Sequence, residues 1–244
     1  MNMSYVELLN DYQQVKENLF LRCSNTERNG DYLENCPRQE KNGLALTAHV
    51  GLNWQEGALP NYSAVVTNDM LKGWGITEET LFADATANTQ KKMPPVIMKL
   101  SELMQELSGG GMMPPEAEEP DIFVLTNEHS YFGAAAAFYP DMLKSVHESL
   151  GNYFMLPSSV HEWLLLPEET GVSVRGLESM VYDVNRTELS EADYLSDDVF
   201  HFDGERMELA RDYEKRLQKT EAMKKEAAGI FGPETAAKDR PITM

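Results

Sequence analysis

The residues best suited to chemistry lie in one short string, Leu156-Pro157-Ser158-Ser159-Val160-His161-Glu162. A hydroxyl, an imidazole and a carboxylate together can perform acyl transfer, because the imidazole can take the hydroxyl proton. On an extended segment, however, Ser159 and His161 project in parallel from one face and Glu162 projects from the other. No Gly-x-Ser-x-Gly elbow accompanies either serine. Three interpretations of Ser158, Ser159, His161 and Glu162 therefore stand: a hydrolase centre, a binding site, or a proline-initiated turn whose serines bond nearby backbone.

Metal and phosphate sites have weaker support in the sequence. The histidines form neither an HExxH motif nor a His-x-His pair, which leaves a site assembled in space from His129, His161 and a carboxylate as the metal hypothesis. The acidic string that contains Asp193, Asp197 and Asp198 lacks the ligand order and central glycine of an EF-hand. The glycines at 109–111 are not followed by the Gly-Lys-Ser/Thr of a phosphate-binding loop. We therefore predict neither a metal nor a cofactor.

Charge is the most unusual property of the composition. The 244 residues include 40 acids and 21 bases, which gives a net charge of −19. Such a surface repels nucleic acid and anionic membrane, and it favours solubility or docking onto a basic protein. The segment 178–203 concentrates this charge, with eight acids against Arg186 alone. Either it is a solvated face, or it binds a basic protein partner through residues that include Glu188, Glu191, Asp193, Asp197 and Asp198.

The sequence also indicates a compartment and one aromatic anchor. No basic stretch precedes an apolar run, and no apolar run approaches 18 residues, so we expect neither a signal peptide nor a membrane span. The two cysteines, Cys23 and Cys36, are too few for a disulfide framework, and the cytoplasm is the expected location. Trp74, between Gly73 and Gly75, would pack onto the core, or it would anchor a partner if it were exposed.

The elements that must position these residues follow from periodicity and from capping. In the first half we predict a helix over 4–21, opened by Ser4 and Glu7, a polar loop over 22–42 and a hairpin of strands 44–52 and 62–67. Thr77 should cap a helix that runs to about 88, and a further helix should follow Pro94-Pro95. The stretch 108–120 has linker composition.

In the second half we predict a strand over 121–126. Over 131–138 we predict either a second strand or a closely packed apolar segment. A helix should run from Pro140 to Gly151. Strands 153–156 and 162–166 should flank the serine turn. The next helix, 174–184, should place Leu177, Met180, Val181 and Val184 on its inner side, and a charged helix should cover 205–228.

We infer an α+β fold, with a mixed sheet of short strands covered by helices. The expected organisation is an N-terminal helix and polar connection (1–42), a core domain (43–204) that contains the linker 108–120, and a charged helical arm and tail (205–244).

Several strings together carry a resemblance to a family. They are the core of 64–89, TNDMLKGWGITEETLFADATANT, then Val124-Leu125-Thr126-Asn127, Gly133-Ala134-Ala135, Tyr139-Pro140, the Pro-Ser-Ser-x-His-Glu string and Leu195-Ser196-Asp197. In order and spacing they resemble an uncharacterised protein family abundant in anaerobic gut bacteria. The resemblance covers about 43–204, and its most specific element is the Pro-Ser-Ser-x-His-Glu string. It implies no activity, and relative to that family the N-terminal region looks shortened to about 40 dissimilar residues.

The leading functional hypothesis is a non-catalytic acidic interaction protein that binds a basic, possibly nucleic-acid-handling, protein. It depends on the charge and on the lack of a complete catalytic motif. The alternative is a hydrolase-type enzyme centred on residues 157–162.

Overall fold

The computed structural model of the chain describes residues 5–52, 54, 58–60, 62–108 and 121–230. The chain divides into two compact units, Met1–Ala210 and Arg211–Met244. Among the described residues, no helix is both long enough and apolar enough to cross a membrane. The fold is α+β, as the sequence predicted.

The first sheet is built around one fully buried strand. Its members are β1 (Leu19–Asn25), β2 (Arg38–Lys41), β3 (Leu44–Leu52) and β4 (Tyr62–Val65). β1 pairs along one edge of β3, while β2 and β4 pair with successive stretches of the other edge, all antiparallel. All nine residues of β3 are buried, because neighbours cover both of its faces. The predicted hairpin of β3 and β4 is confirmed.

The second sheet carries the serine turn. In the order of the sheet its strands are β10 (Met207–Leu209), β9 (Phe200–Phe202), β7 (Tyr153–Ser159), β8 (Glu162–Pro167), β6 (Phe123–Asn127) and β5 (Pro95–Lys99). Every pairing is antiparallel. The single mixed sheet that we expected is thus two antiparallel sheets.

The described residues form nine α-helices. They are α1 (Tyr5–Leu9), α2 (Tyr12–Val15), α3 (Gly30–Leu33), α4 (Asn68–Trp74), α5 (Glu78–Lys92), α6 (Leu100–Leu107), α7 (Met142–Leu150), α8 (Val174–Thr187) and α9 (Ala210–Ile230). Thr77 caps α5 as predicted, since its hydroxyl accepts from the Thr80 amide at 3.2 Å. α5 covers one face of the first sheet, where the Leu21 amide donates to Thr89 Oγ1 at 3.0 Å.

The N-terminal region differs most from the prediction. The helix expected over 4–21 ends much earlier, and Leu19, Phe20 and Leu21 begin β1. The expected loop 22–42 contains most of β1, all of α3 and all of β2. One face of β1 carries Leu19, Leu21 and Cys23, and the other carries Phe20, Arg22 and Ser24. The run Leu19-Phe20-Leu21 fits helical spacing as well as a strand until the partner strand is known. The proposed cap, Ser4, lies outside the described residues.

Four smaller corrections concern the later elements. β5 occupies 95–99, where a helix was expected, and only α6 is helical there. The segment 131–138 is not a strand, since Gly133–Phe138 forms a buried 3-10 helix, which fits the alternative of a closely packed apolar segment. The charged helix begins at Ala210 rather than 205, because Met207–Leu209 form a strand. In α8, Met180 and Val184 are exposed, and Val174 and Asn185 are buried instead. All of the predicted linker except Ser108 lies outside the described residues.

Candidate functional site

The predicted serine turn is the tip of the β7–β8 hairpin, and distant backbone holds it in place. The Thr126 hydroxyl donates to the carbonyl oxygen of His161 at 2.8 Å. The amide of Ala134 donates to the carbonyl oxygen of Val160 at 3.2 Å, and the Val160 amide donates to the carbonyl oxygen of Asp193 at 2.8 Å. Three separate segments therefore fix the conformation of two turn residues.

The imidazole of His161 has both of its nitrogens occupied. The backbone amide of Phe132 donates to Nδ1 at 3.0 Å. Nδ1 therefore has no proton, so the proton of the neutral ring is on Nε2, which donates to Asp193 Oδ1 at 3.2 Å. The ring also stacks on Tyr131, with centroids 5.6 Å apart and an interplanar angle of 25°. This arrangement leaves no lone pair on the imidazole to accept a proton from a serine.

The two serines are bonded within the turn itself. The Ser158 hydroxyl donates to Glu162 Oε1 at 3.1 Å. The Ser159 hydroxyl accepts from the backbone amide of His161 at 3.0 Å. These are the short-range bonds of a serine-containing turn, and the geometry of residues 157–162 supports a structural role better than acyl transfer.

His161 should stabilise the fold mainly through Nδ1, which accepts the hydrogen bond of the Phe132 amide. We expect His161→Ala to lower the free energy of unfolding by about 1–3 kcal/mol, because the Phe132 amide loses its acceptor. His161→Asn should cost less, since its side-chain oxygen can occupy the position of Nδ1. Denaturant titration of both variants measures the difference, and equal losses would show that the Phe132 bond contributes little.

The predicted acidic residues 193, 197 and 198 are largely engaged within the fold. The Ser190 hydroxyl, and after it His161, hold the pKa of Asp193 below its usual range. Asp197 accepts from Asn185 at 2.8 Å and pairs with Arg186 at 3.3 Å. Burial alone would raise the pKa of Asp197, yet these bonds lower it. The Asp198 amide donates to Ser196 Oγ at 3.0 Å. These aspartates stabilise the turn after α8, so only part of the segment's charge faces outward.

Other acids of the segment are exposed beside apolar side chains. Asp183, Glu188 and Glu191 are exposed at the C-terminal end of α8 and just beyond it. Met180 and Val184, one helical turn apart, expose 53% and 42% of their surfaces. Residues at this spacing are neighbours on a helix. The end of α8 thus presents an apolar pair bordered by carboxylates, which we call the α8 face (Met180, Asp183, Val184, Glu188 and Glu191).

Trp74 and His129, one of the proposed metal ligands, both contact backbone carbonyl oxygens of other segments. Trp74 ends α4, and its indole nitrogen donates to the Leu9 carbonyl oxygen at 2.9 Å while its ring packs 5.3 Å from Tyr12. His129 Nε2 lies 3.2 Å from the carbonyl oxygen of Lys92. Within the described parts of the chain, no three His, Cys, Asp or Glu side chains come together as a metal site.

The structure also contains a polar pocket that the sequence did not suggest. Its volume is about 310 Å³, and it is lined by Arg22, Ser24, Asn29, Tyr32, His49, Ser63 and Val65. Arg22 and Ser24 occupy alternate positions of β1, and Thr47 and His49 occupy alternate positions of β3. This alternation of polar side chains was the signal in the sequence that could have predicted the pocket. It was not recognised because residues 22–42 were predicted to be a loop.

Comparison with known proteins gives a family but no activity. Residues 1–204 match a family described as a family of unknown function, DUF5688. The match starts at residue 1, so the first 42 residues are part of the matched region and not a dissimilar replacement. Searches of curated proteins and of solved structures gave no significant match. Because the match covers most of the chain, the protein belongs to the DUF5688 family.

Proposed function

We propose that this chain is a non-catalytic interaction protein that binds a basic protein partner through the α8 face. The observation that carries the proposal is the exposure of Met180 and Val184 beside Asp183 and Glu188. The inner side of α8 is already buried through Val174, Leu177, Val181 and Asn185. The exposed apolar pair therefore contributes nothing to the core of the fold and is available to another molecule.

The chemistry of the face specifies its partner. A basic segment with apolar residues at helical spacing would cover Met180 and Val184 and place its lysines or arginines on the bordering carboxylates. The net charge of −19 would speed the encounter with such a partner and repel nucleic acid. The proposed setting is the bacterial cytoplasm, and a protein that handles nucleic acid would supply suitable basic segments.

Charge reversal on the α8 face tests this proposal. The tagged protein would be used to capture partners from extract of its own cells at low and at high salt. We expect one basic protein to be recovered at low salt and lost at high salt, because exposed charge pairs are screened. Asp183→Lys with Glu188→Lys should abolish this recovery, and Met180→Ser should weaken it at every salt concentration.

A matched control separates the α8 face from general acidity. Glu148 on α7 and Glu169 after β8 are exposed acids, and no large apolar residue within four positions of either is exposed. Glu148→Lys with Glu169→Lys therefore changes the net charge by the same amount at sites unlike the α8 face. The control should capture the same partner as the wild type. Equal loss of the partner with both double variants would show that only net charge matters, and salt-insensitive recovery would contradict the proposal.

A further inference from the structure

The pocket beside β1 and β3 contains an arginine that forms no salt bridge with any described residue. Arg22 projects from β1, and its guanidinium stacks over the Phe132 ring at 3.5 Å from the centroid. Its Nε is buried, with no hydrogen-bond partner among the described residues. Burial lowers the pKa of Arg22, but an arginine side chain remains charged in proteins. Arg22 is partly buried, and a buried Nε–H without an acceptor costs free energy, which is unexpected in a chain with 40 acids.

A second unpartnered group lines the same pocket. His49 is 4% exposed, and its Nδ1 has no hydrogen-bond partner among the described residues. Its Nε2 lies 3.1 Å from the Thr47 hydroxyl, which in turn lies 2.9 Å from the Tyr32 hydroxyl. If Nε2 accepts from Thr47, the ring proton is on Nδ1, which is then a donor without an acceptor. Two buried side-chain nitrogens in one pocket, Arg22 Nε and His49 Nδ1, thus lack a hydrogen-bond partner among the described residues.

We propose that this pocket binds a small organic anion through its carboxylate or phosphate group. The guanidinium of Arg22 would donate to the oxyanion, and His49 would add a further donor. The hydroxyls of Ser24 and Tyr32 and the amide of Asn29 also line the cavity and can bond the polar remainder of the ligand. A volume of about 310 Å³ suits a small metabolite rather than a macromolecule. This inference is independent of the α8 face.

The side-chain signal of Arg22 provides a direct test. Protein labelled with ¹⁵N in its arginines would be titrated with inorganic phosphate, with acetate and with chloride, and the Nε–H resonance of Arg22 would be followed. We expect a saturable shift with phosphate or acetate and none with chloride at equal ionic strength. Saturation by phosphate alone identifies a phosphate ligand, and saturation by acetate alone identifies a carboxylate.

Variants at the rim keep the test independent of folding. Ser63 is exposed, so Ser63→Glu should fold normally while placing a competing carboxylate at the pocket. It should weaken binding of the saturating anion at least about tenfold, which corresponds to about 1.4 kcal/mol, whereas Ser63→Gln should leave binding nearly unchanged. Arg22→Gln removes the reporting resonance, so its binding is measured by isothermal titration calorimetry and should be abolished. Arg175→Gln, an equal charge change on the surface of α8, should bind as the wild type does. No saturable shift with either oxyanion, or equal binding by Ser63→Glu and Ser63→Gln, would overturn the proposal.

Discussion

Gly133→Ala should lower the free energy of unfolding by about 3 kcal/mol, a large loss for the smallest possible side-chain addition. A β-carbon on residue 133 would collide with Thr126 Oγ1 and with the His161 carbonyl oxygen, and it would lie 2.9 Å from the Asn127 amide nitrogen. Two of these neighbours are backbone atoms, so they cannot rotate away. The Thr126–His161 hydrogen bond that fixes the serine turn must then break. Thermal or denaturant unfolding measures the loss.

Gly73→Ala is the matched control. Gly73 lies in α4, and a β-carbon there meets no atom within 4 Å. Alanine favours the helix over glycine by up to about 1 kcal/mol, so this variant should be slightly more stable than the wild type. Similar stabilities for the two variants would show that the backbone around Gly133 can relax, and that the turn is not rigidly held.

The second large effect is a loss of stability on mild acidification. Burial, and next the charge of Arg22, hold the pKa of His49 well below 6.5, and burial also lowers the pKa of His201 despite the nearby Glu168. The unfolded chain therefore binds protons below about pH 6.5 that the folded chain does not. Stability is complete above this pH and falls as the pH decreases, by up to about 1.4 kcal/mol per pH unit for each histidine.

Variants separate this effect from the titration of carboxylates. His49→Gln and His201→Gln should each flatten the dependence of unfolding free energy on pH between about 5 and 6.5. Asp197→Asn should leave that window unchanged, because the pKa of Asp197 lies below 3.8 and its contribution disappears only as the pH falls through that lower value. A wild-type curve that is level from pH 7 to 5 would mean that both histidines are protonated in the folded state.

The sequence predicted elements well where local signals agree. The hairpin of β3 and β4, the Thr77 cap of α5 and the end of α7 at Gly151 each rest on turn or capping chemistry within a few residues. β1 was missed because its apolar residues suit either period, and the choice between them depends on β3, about 25 residues away in the chain. Met180 and Val184 were misplaced for a similar reason, since α8 buries only a narrow stripe.

The candidate sites were hard to predict from the sequence for a different reason. The turn was predicted at 157–159, whereas β7 runs to Ser159 and only Val160 and His161 form the turn. The partner of His161 Nδ1 is a backbone amide, and backbone donors leave no trace in a sequence. The Arg22 pocket was missed because its lining comes from β1, α3, β3 and β4, which no single motif spans. Its sequence signal, an arginine inside a strand, becomes visible only once the strand is recognised.

The position of β3 between β1 and the pair β2 and β4 gives the first 25 residues a protective role. Strand β3 is nine residues long and buried throughout, and β1 pairs with its residues 44–50 along one edge. Without that cover, the edge would be a long, unguarded template for pairing with another copy of the chain. Strand β1 therefore covers the edge of β3 that could otherwise pair with a second copy of the chain.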